Sequence, residues 1–205
     1  MLAEPVRRFL DPYLDRAAAL ALRRRVSANT VTFTGFGFGL LALPFLAAGY
    51  YVVALLFICL NRFCDGLDGA IARRSTPTAL GAFLDVILDY TFFAAVLFAF
   101  ALSRAESAYA AAFFLFGLIV SAVSLLARAV FAEKHRLVAE AHENRSLRYL
   151  SGLVEGPETF LAFGVMCLIP DAFAIICYLY GVMCFVAAGA RIASVVAELG
   201  ETEKQ

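Results

Sequence analysis

Long apolar stretches separated by short polar connections fill the chain from residue 29 to residue 197. A helix needs about 20 apolar residues to cross a bilayer, and the stretches are near that length. The pattern predicts six membrane-spanning helices, at about 29–49, 50–73, 79–103, 106–132, 149–169 and 171–197. No internal repeat or linker interrupts the pattern. We therefore expect one domain over residues 1–205, with the bundle at 29–197 and a cytoplasmic tail at 198–205.

The segment before these stretches, residues 4–25, has a different pattern. Apolar side chains such as Phe9, Tyr13 and Leu20 recur at helical spacing, with arginines and aspartates between them. This spacing is typical of an amphipathic helix that lies on a membrane surface. A short soluble helix that packs on the bundle is the alternative. The predicted fold is an all-α integral membrane protein, with six transmembrane helices preceded by an N-terminal amphipathic surface helix.

Composition and charge agree with this class and argue against others. Hydrophobic residues make up 62% of the 205 residues, charged residues 17%, and the mean hydropathy is +0.82, values outside the range of ordinary soluble domains. The formal net charge is zero and no basic stripe carries interleaved aromatic residues, so nucleic-acid binding is not indicated. With the N-terminus in the cytoplasm, only Arg104 faces outward, as the positive-inside rule favours. We expect both termini in the cytoplasm and a bacterial-type inner membrane.

Four aspartates interrupt the second and third apolar stretches. Asp65 and Asp68 are three residues apart, and Asp85 and Asp89 are four apart, so each pair shares a helix face. The loop between the helices is short, so they should be antiparallel neighbours, with all four carboxylates roughly 8 to 14 Å from the loop. An acid in hydrocarbon is costly unless a cation neutralises it. The four aspartates are therefore predicted to converge on a cation site just inside the cytoplasmic surface.

The chemistry of this cluster favours hard divalent cations. Carboxylate oxygens without histidine or cysteine suit Mg²⁺, with Mn²⁺ as the alternative, rather than zinc. Two ions would balance four negative charges, and ions roughly 3.5–4 Å apart clamp the attacking and leaving oxygens of phosphoryl transfer. Arg73 offers a guanidinium to a phosphate, while Gly69 and Ala72 leave the helix face open for a diphosphate. The alternative is that the aspartates only form ion pairs with Arg62, Arg73 and Arg74.

At these residues the chain resembles the CDP-alcohol phosphotransferase family. The family signature runs Asp-x-x-Asp-Gly-x-x-Ala-Arg, a spacer, then Gly-x-x-x-Asp-x-x-x-Asp. Its fixed positions are occupied here by Asp65, Asp68, Gly69, Ala72, Arg73, Gly81, Asp85 and Asp89. The spacer 74–80 is one residue shorter than in the family pattern. Upstream, Asn29, Thr32 and Gly35 match the family's Asn-x-x-Thr-x-x-Gly stretch, with Ala28 in place of its usual proline.

The resemblance implies a reaction and a set of site residues. The reaction is phospholipid synthesis by Mg²⁺-dependent transfer of a phosphatidyl group from CDP-diacylglycerol to a small hydroxylated acceptor, with release of CMP, in a protein that is usually a homodimer. The implied metal ligands are Asp65, Asp68, Asp85 and Asp89, of which Asp89 is also the general base. The implied CDP-binding residues are Asn29, Thr32, Asp65, Asp68, Gly69, Ala72 and Arg73.

The acceptor side gives two opposing indications, for a polyol phosphate or an amino alcohol. Arg128 and Arg191, near the ends of the fourth and sixth spans, would suit a phosphate-bearing acceptor, unless their guanidinium groups extend to the membrane interface. Glu155 and Glu158 in the fifth span would suit a cationic amino alcohol, unless they form ion pairs with neighbouring arginines.

Two further features leave alternatives open. Gly35 and Gly39 form a small-xxx-small pair, which suits close helix packing or makes room for a ligand. For the function, the alternatives are transfer from CDP-choline or CDP-ethanolamine to diacylglycerol, a scaffold without catalysis and, from a different class, an ion-coupled transporter. A transporter favours acids spread across the membrane and two related halves, whereas these acids cluster at one depth.

Overall fold

The computed structural model describes residues 3–75, 78–135 and 156–202. The helices described in these ranges are α1 (Ala3–Arg23), α2 (Ala28–Ala47), α3 (Tyr51–Arg74), α4 (Ala79–Ser103), α5 (Ala108–His135), α6 (Gly156–Leu168) and α7 (Phe173–Thr202). Two single-turn 3₁₀ helices, Ala105–Ser107 and Pro170–Ala172, precede α5 and α7. These ranges contain no strand, so the prediction of an all-α fold is confirmed for them.

Caps and a turn residue set the limits of the helices that carry site residues. Ser27 Oγ accepts a hydrogen bond from Thr30 N at 3.2 Å and caps α2, and Thr78 Oγ1 accepts from Gly81 N at 3.0 Å and caps α4. Each cap satisfies an N–H group that lacks a partner in the first helical turn. After α2, the chain turns at Gly49, whose φ of +79° lies in the left-handed region that glycine adopts readily.

Four of the described helical segments are long and apolar enough to cross a membrane: Ala28–Ala47, Ala79–Ser103, Ala105–Phe131 and Pro170–Leu199. The protein is therefore an integral membrane protein. α6 is apolar but shorter, over Glu158–Leu168, and the first part of the predicted fifth span, 149–155, lies outside the described residues. α3 is long, but its charged residues lower its hydropathy. The six-span topology stays a prediction.

The chain divides into two compact units. Unit 1 combines Met1–Glu106 with Gly156–Asp171, and unit 2 combines Ser107–Glu155 with Ala172–Gln205. In unit 1, α2 packs against both α3 and α4, while α1 and α6 pack against α3. In unit 2, α5 packs against α7.

Two glycines let α2 approach its neighbours closely in unit 1. A Cβ atom on Gly35 would lie 2.6 Å from Cys64 Cβ of α3, and one on Gly39 would lie 2.8 Å from Phe92 Cδ2 of α4. Further along, Phe45 stacks on Phe57 with ring centroids 5.5 Å apart. Because residue numbers fall along α3 as they rise along α2, these two helices are antiparallel. Of the two roles considered for the glycines, the geometry supports close helix packing.

α1 docks on unit 1 by one face and exposes another. Leu14 and Ala18 are buried, and a Cβ atom on Gly66 of α3 would lie 3.0 Å from Leu14 Cδ1. Tyr13 and Leu20 are 58% and 54% exposed. The helix is therefore packed on the bundle and still presents apolar side chains outward. Its location at a membrane surface stays a prediction.

In unit 2, α5 and α7 run parallel. The Phe113 ring lies 5.6 Å from the Tyr178 ring, and a Cβ atom on Gly117 would lie 2.8 Å from the carbonyl oxygen of Gly181. Residue numbers therefore rise together along the two helices. The absence of side chains at Gly117 and Gly181 allows the backbones of α5 and α7 to come close.

Candidate active site

Three carboxylates from two helices meet in unit 1. α3 contributes Asp65, and α4 contributes Asp85 and Asp89, which share a helix face because they are four residues apart. One carboxylate oxygen from each residue lies within 4.8 Å of the other two. Carboxylates this close repel one another unless a cation neutralises them. The arrangement can therefore hold a metal ion.

Asp68, the fourth predicted ligand, is held by a hydroxyl. The residue is 8% exposed, and Thr32 Oγ1 of α2 donates a hydrogen bond to its Oδ2 at 2.6 Å. Asp68 and Thr32 line a small cavity together with Asp65, Asp85 and Asp89. All four aspartates thus contribute to the wall of one space. Thr32, which the sequence resemblance links to CDP, also positions an acid.

Arg62 is a cation that α3 places beside these acids. Its guanidinium forms an ion pair with Asp65 and lies 4.1 Å from the centre of the Phe160 ring of α6, a distance typical of a cation–π contact. A Cβ atom on Gly156 would lie 3.3 Å from Arg62 Nη1 and 3.9 Å from Asp89 Oδ2. The start of α6 therefore lies against both the arginine and an acid.

Ion pairs with arginine explain only part of the acidic cluster. One aspartate pairs with Arg62, as described, whereas Arg74 Nη2 lies 3.0 Å from Asp15 Oδ2 of α1. The hydrogen bond from Arg74 lowers the pKa of Asp15 below its usual value. Within the described ranges, Asp85 and Asp89 form no ion pair. Ion pairing with Arg62 therefore accounts for Asp65 by direct contact, whereas the Arg62 charge reaches Asp85 and Asp89 only at longer range.

A larger cavity, of about 400 Å³, adjoins two of the acids. Its volume is within the roughly 300–1,000 Å³ that ligand pockets usually have. Asp68 and Asp85 line it, as do five other residues from the two sequence motifs: Asn29, Thr32, Gly69, Ala72 and Gly81. The structure therefore brings most of the predicted CDP-binding set to one cavity.

Two glycines of the signature leave room for polar side chains at this end of unit 1. A Cβ atom on Gly69 would lie 3.3 Å from Arg73 Nη1. One on Gly81 would lie 3.1 Å from Thr78 Oγ1 and 3.3 Å from Asn29 Oδ1. The absence of these two side chains therefore permits the positions of Arg73 and Asn29.

Asn61 is a site residue that the sequence pattern did not indicate. It lies on α3 one helical turn before Asp65, is 8% exposed and lines the small cavity with the acids. Its Nδ2 donates to the carbonyl oxygen of Gly35 at 3.0 Å. The signal that could have identified it is its position four residues before the first aspartate, on the same helix face.

The two arginines proposed for the acceptor side lie in unit 2, where each contacts the neighbouring helix. Arg191 of α7 is 5% exposed, and its Nη1 donates to Ser121 of α5, at 2.9 Å from Oγ and 3.2 Å from the carbonyl oxygen. Arg128 of α5 donates to Ser194 Oγ at 3.2 Å and lies 3.8 Å from Glu198 Oε1. Arg191 is therefore held inside the helix pair rather than extended to the interface.

The two glutamates proposed for the acceptor side are described to different extents. Glu158 lies in the first turn of α6 in unit 1 and is partly buried. Glu155 lies outside the described residues. Glu158 is thus the one whose position in the fold is known, two residues after Gly156.

The residues around the small cavity fit a hard divalent ion. In the described part of the chain, its polar lining consists of aspartates, Thr32 and Asn61, without histidine or cysteine. Carboxylate, hydroxyl and amide oxygens are the ligands that Mg²⁺ and Mn²⁺ prefer. An acidic cluster of this kind agrees with the divalent-metal dependence that the sequence resemblance implies.

The comparison with known families decides the assignment. The sequence model of the family described as CDP-alcohol phosphatidyltransferase matches residues 25–197, a range that contains the four aspartates and the motif residues of the larger cavity. The chain belongs to the CDP-alcohol phosphatidyltransferase family. It is accordingly a CDP-alcohol phosphotransferase of the membrane, and the resemblance seen in its signature is confirmed. The transporter alternative has no support.

Individual relatives agree with the family assignment. The chain is 40% identical to the inner membrane protein YnjF of Escherichia coli (strain K12) over 197 residues, which cover 96% of each chain. It is 40% identical over 85 residues to the archaetidylinositol phosphate synthase of Methanothermobacter thermautotrophicus, covering 41% of this chain and 40% of the relative. It is 38% identical over 105 residues to the phosphatidylinositol phosphate synthase of Streptomyces avermitilis, covering 50% and 43%.

Proposed function

We propose that this phosphotransferase transfers a phosphatidyl group from CDP-diacylglycerol to a small hydroxylated acceptor and releases CMP. The main support is the meeting of carboxylates from α3 and α4 within 4.8 Å of one another, with Asp85 also lining a cavity of about 400 Å³. A nucleotide diphosphate requires cations for its phosphates and space for its base and sugar. The carboxylates would hold the cations, and the cavity offers the space.

We assign the donor to residues of unit 1. Two Mg²⁺ ions, or Mn²⁺ as the alternative, would be held by Asp65, Asp68, Asp85 and Asp89. The CDP moiety would be held by these acids with Asn29, Thr32, Gly69, Ala72 and Arg73. Small side chains at two of these positions leave room for the diphosphate, and the Arg73 guanidinium suits its oxygens. Thr32 would keep Asp68 oriented through its 2.6 Å hydrogen bond.

In the proposed reaction, Asp89 is the general base. Its carboxylate takes the proton of the acceptor hydroxyl while the acceptor oxygen attacks the phosphorus that carries the diacylglycerol. A new P–O bond forms, the bond from that phosphorus to the bridging oxygen breaks, and CMP leaves with the bonding electrons. Bound divalent ions would supply stabilisation of the negative charge that develops on the diphosphate. The ion pair with Arg62 would keep Asp65 in a fixed orientation.

For the acceptor, we propose a polyol phosphate. Two relatives that match part of the chain are named as an archaetidylinositol phosphate synthase and a phosphatidylinositol phosphate synthase. Arg128 and Arg191 are the cations we assign to its phosphate, since a guanidinium binds phosphate oxygens in pairs. An amino alcohol bound by Glu155 and Glu158 is the second candidate, because Glu158 begins the helix whose Gly156 lies against Asp89.

We infer six spans, with both termini and the active site on the cytoplasmic side. Since α5 and α7 run parallel, the chain between them has to return across the membrane, and α6 lies in that stretch. Arg62 of α3 contacts Phe160, and Leu55 lies 4.0 Å from the Cβ position of Gly164, so α6 is antiparallel to α3, as a fifth span requires. We also propose an inner-membrane location, which the name of the Escherichia coli relative supports. The protein is further proposed to be a homodimer.

The proposed function can be tested with purified full-length protein in lipid nanodiscs. CDP-diacylglycerol would be supplied with Mg²⁺ and, in separate reactions, with inositol phosphate, glycerol 3-phosphate, serine and an amino alcohol. CMP release and the lipid product would be measured by mass spectrometry. We expect release that depends on Mg²⁺ and is fastest with a polyol phosphate.

Two controls distinguish the proposed reaction from its alternatives. An Asp85→Ala protein should release no CMP, because one of the converging carboxylates is lost. Replacing the substrates by CDP-choline and diacylglycerol tests the alternative in which diacylglycerol is the acceptor. Activity only after that exchange would contradict the proposed donor, and inactivity with every donor and acceptor would contradict the proposed reaction.

A further inference from the structure

The side-chain amide of Asn61 is held in one orientation between two helices. Its Nδ2 donates to the carbonyl oxygen of Gly35 at 3.0 Å, and a Cβ atom on Gly39 would lie 3.2 Å from the same nitrogen. Because a carbonyl oxygen can only accept, the atom that faces Gly35 has to be the nitrogen. The Oδ1 atom therefore points away from Gly35, and the hydrogen bond of Nδ2 to Gly35 fixes its direction.

The Oδ1 atom of Asn61 is buried and has no hydrogen-bond partner among the described residues. The whole residue is 8% exposed. An unsatisfied buried polar atom costs about 1–3 kcal/mol, so buried amide oxygens nearly always have a protein or water partner. The atom that would satisfy Asn61 is therefore expected to come from a water or a ligand.

The small cavity beside Asn61 is large enough for one water molecule. Its volume is about 20 Å³, and one water needs roughly 10–15 Å³ by the same kind of measure. Asn61 shares the lining of this cavity with Thr32 and the four aspartates. A water here would donate one hydrogen to the amide oxygen and one to a carboxylate, which leaves its own oxygen available to a cation.

We propose that the Oδ1 atom of Asn61 accepts a hydrogen bond from a water in this cavity, and that this water binds the divalent ion. The neutral oxygen of Asn61 stabilises the water that hydrates the ion without adding a fifth negative charge to four acids. Asn61 is thus a positioning residue for the ion rather than a catalytic residue. The proposal rests on the proposed function, because it requires that the aspartates hold a divalent ion.

Two variants separate the oxygen of Asn61 from its nitrogen. Asn61→Leu has a similar shape and removes both the Oδ1 acceptor and the Nδ2 donor. Asn61→Asp retains an oxygen and, when ionised, also lacks the donor to Gly35. Both variants therefore lose the same hydrogen bond between α2 and α3, and only the leucine variant loses the oxygen. Asn61→Ala is the replacement for Asn61→Leu if the leucine protein does not fold.

The experiment measures Mn²⁺ binding to the full-length proteins in nanodiscs, by the loss of the electron paramagnetic resonance signal of free Mn²⁺. Outer-shell partners of metal sites typically contribute 10–100-fold to metal affinity. We expect Asn61→Leu to weaken Mn²⁺ binding about tenfold, and Asn61→Asp to bind at least as tightly as the wild type. Both should lower the thermal unfolding temperature, and Asn61→Asp should lower it more in the absence of metal, because its carboxylate adds a charge to the four acids. Cys177→Ala, a buried change in unit 2, should leave binding unchanged.

The other outcomes contradict either the role of Asn61 or the proposed function. Wild-type affinity in both Asn61→Leu and Asn61→Asp, with only the shared loss of stability, would show that Asn61 serves helix packing alone. If Asp85→Ala loses Mn²⁺ binding in that experiment, the proposed function stands and only the role of Asn61 is overturned. Absence of Mn²⁺ binding in the wild type would overturn both.

Discussion

Both units place charged side chains among apolar helices, but they satisfy the charge in different ways. In unit 1, Asp65, Asp85 and Asp89 lie within 4.8 Å of one another at a small cavity. In unit 2, Arg191 donates hydrogen bonds to the hydroxyl and carbonyl oxygens of Ser121 on the neighbouring helix. Unit 1 thus gathers groups of like charge, whereas unit 2 surrounds a charge with acceptors.

This difference indicates which charges need a ligand. Hydrogen bonds from an arginine to the adjacent helix stabilise a membrane helix pair without any added group. Neighbouring carboxylates repel one another, and the buried Asp68 also loses contact with water. A bound cation relieves both effects. The acid cluster is therefore the stronger candidate for a cation site, while the arginines have hydrogen-bond partners on the neighbouring helix.

The largest expected effect is that of Asp89→Asn in unit 1. The asparagine has nearly the same shape but cannot accept the acceptor's proton, so we expect kcat to fall about 10²–10⁴-fold. CMP release at saturating CDP-diacylglycerol measures it. Because the change removes one of the mutually repelling carboxylates, the unfolding temperature of the metal-free variant should equal or exceed that of the wild type. A folded Asp89→Asn protein that binds donor and keeps full turnover would remove the general-base assignment.

In unit 2, Arg191→Met tests whether the arginine network also binds the acceptor. A charge-assisted hydrogen bond contributes about 1.5–3 kcal/mol, so the KM for a polyol phosphate should rise tenfold or more, with an unchanged KM for the donor. Ser121→Ala, which removes one neutral hydroxyl, is the matched control and should lower stability with little effect on the acceptor KM. If Arg191→Met lowers only the unfolding temperature, the network is structural and the assignment of Arg191 to the acceptor is wrong.

A smaller effect is expected for Gly69→Ala. The added Cβ atom would lie 3.3 Å from Arg73 Nη1, so the guanidinium would have to move by a few tenths of an ångström. We expect the KM for CDP-diacylglycerol to rise a few-fold and the stability to stay nearly constant, because the displaced group is the end of a flexible side chain. Gly37→Ala is the control, since no heavy atom lies within 4 Å of its Cβ position. Equal donor KM values for the two variants would argue against a role of Arg73 in donor binding.

The smallest effect concerns the ion pair between Asp15 of α1 and Arg74 of α3. The pKa of Asp15 is lowered in the folded protein by the hydrogen bond from Arg74. Its stabilising contribution is therefore complete above the unfolded-state pKa of about 3.9 and is lost as the pH falls through the folded-state pKa. The measurement is the difference in unfolding temperature between wild type and Asp15→Asn from about pH 3 to 7. A difference that grows toward acid pH would contradict this assignment.

The sequence led us to expect that α3 and α4 pack directly on one another, whereas the described α2 packs against both of them. The sequence did predict the acids and the helices that carry them. This succeeded because acids in apolar stretches are rare and their spacing is helical. It did not predict that Thr32 holds Asp68 or that Asn61 faces the cavity. Both contacts depend on the rotation and distance of α2 against α3, which the close approach at Gly35 sets. Side-chain partners across a helix interface follow from that packing and not from spacing within one helix.

The serine partners of Arg191 were missed for the same reason. Serine is common in apolar helices and its spacing carries no information about a partner on another helix. The parallel direction of α5 and α7 is needed before Ser121 can be assigned to Arg191. The acidic site was predictable because its residues are unusual one by one, whereas the polar network of unit 2 consists of ordinary residues in a particular register.

The central claim is that α3 and α4 together hold divalent ions for the nucleotide donor. The most direct test is the number of Mn²⁺ ions bound per chain, measured by equilibrium dialysis and elemental analysis in the presence of CDP-diacylglycerol. We predict two ions for the wild type and fewer for Asp65→Ala and for Asp85→Ala, one variant from each helix. An unchanged number of ions in both variants would contradict the account.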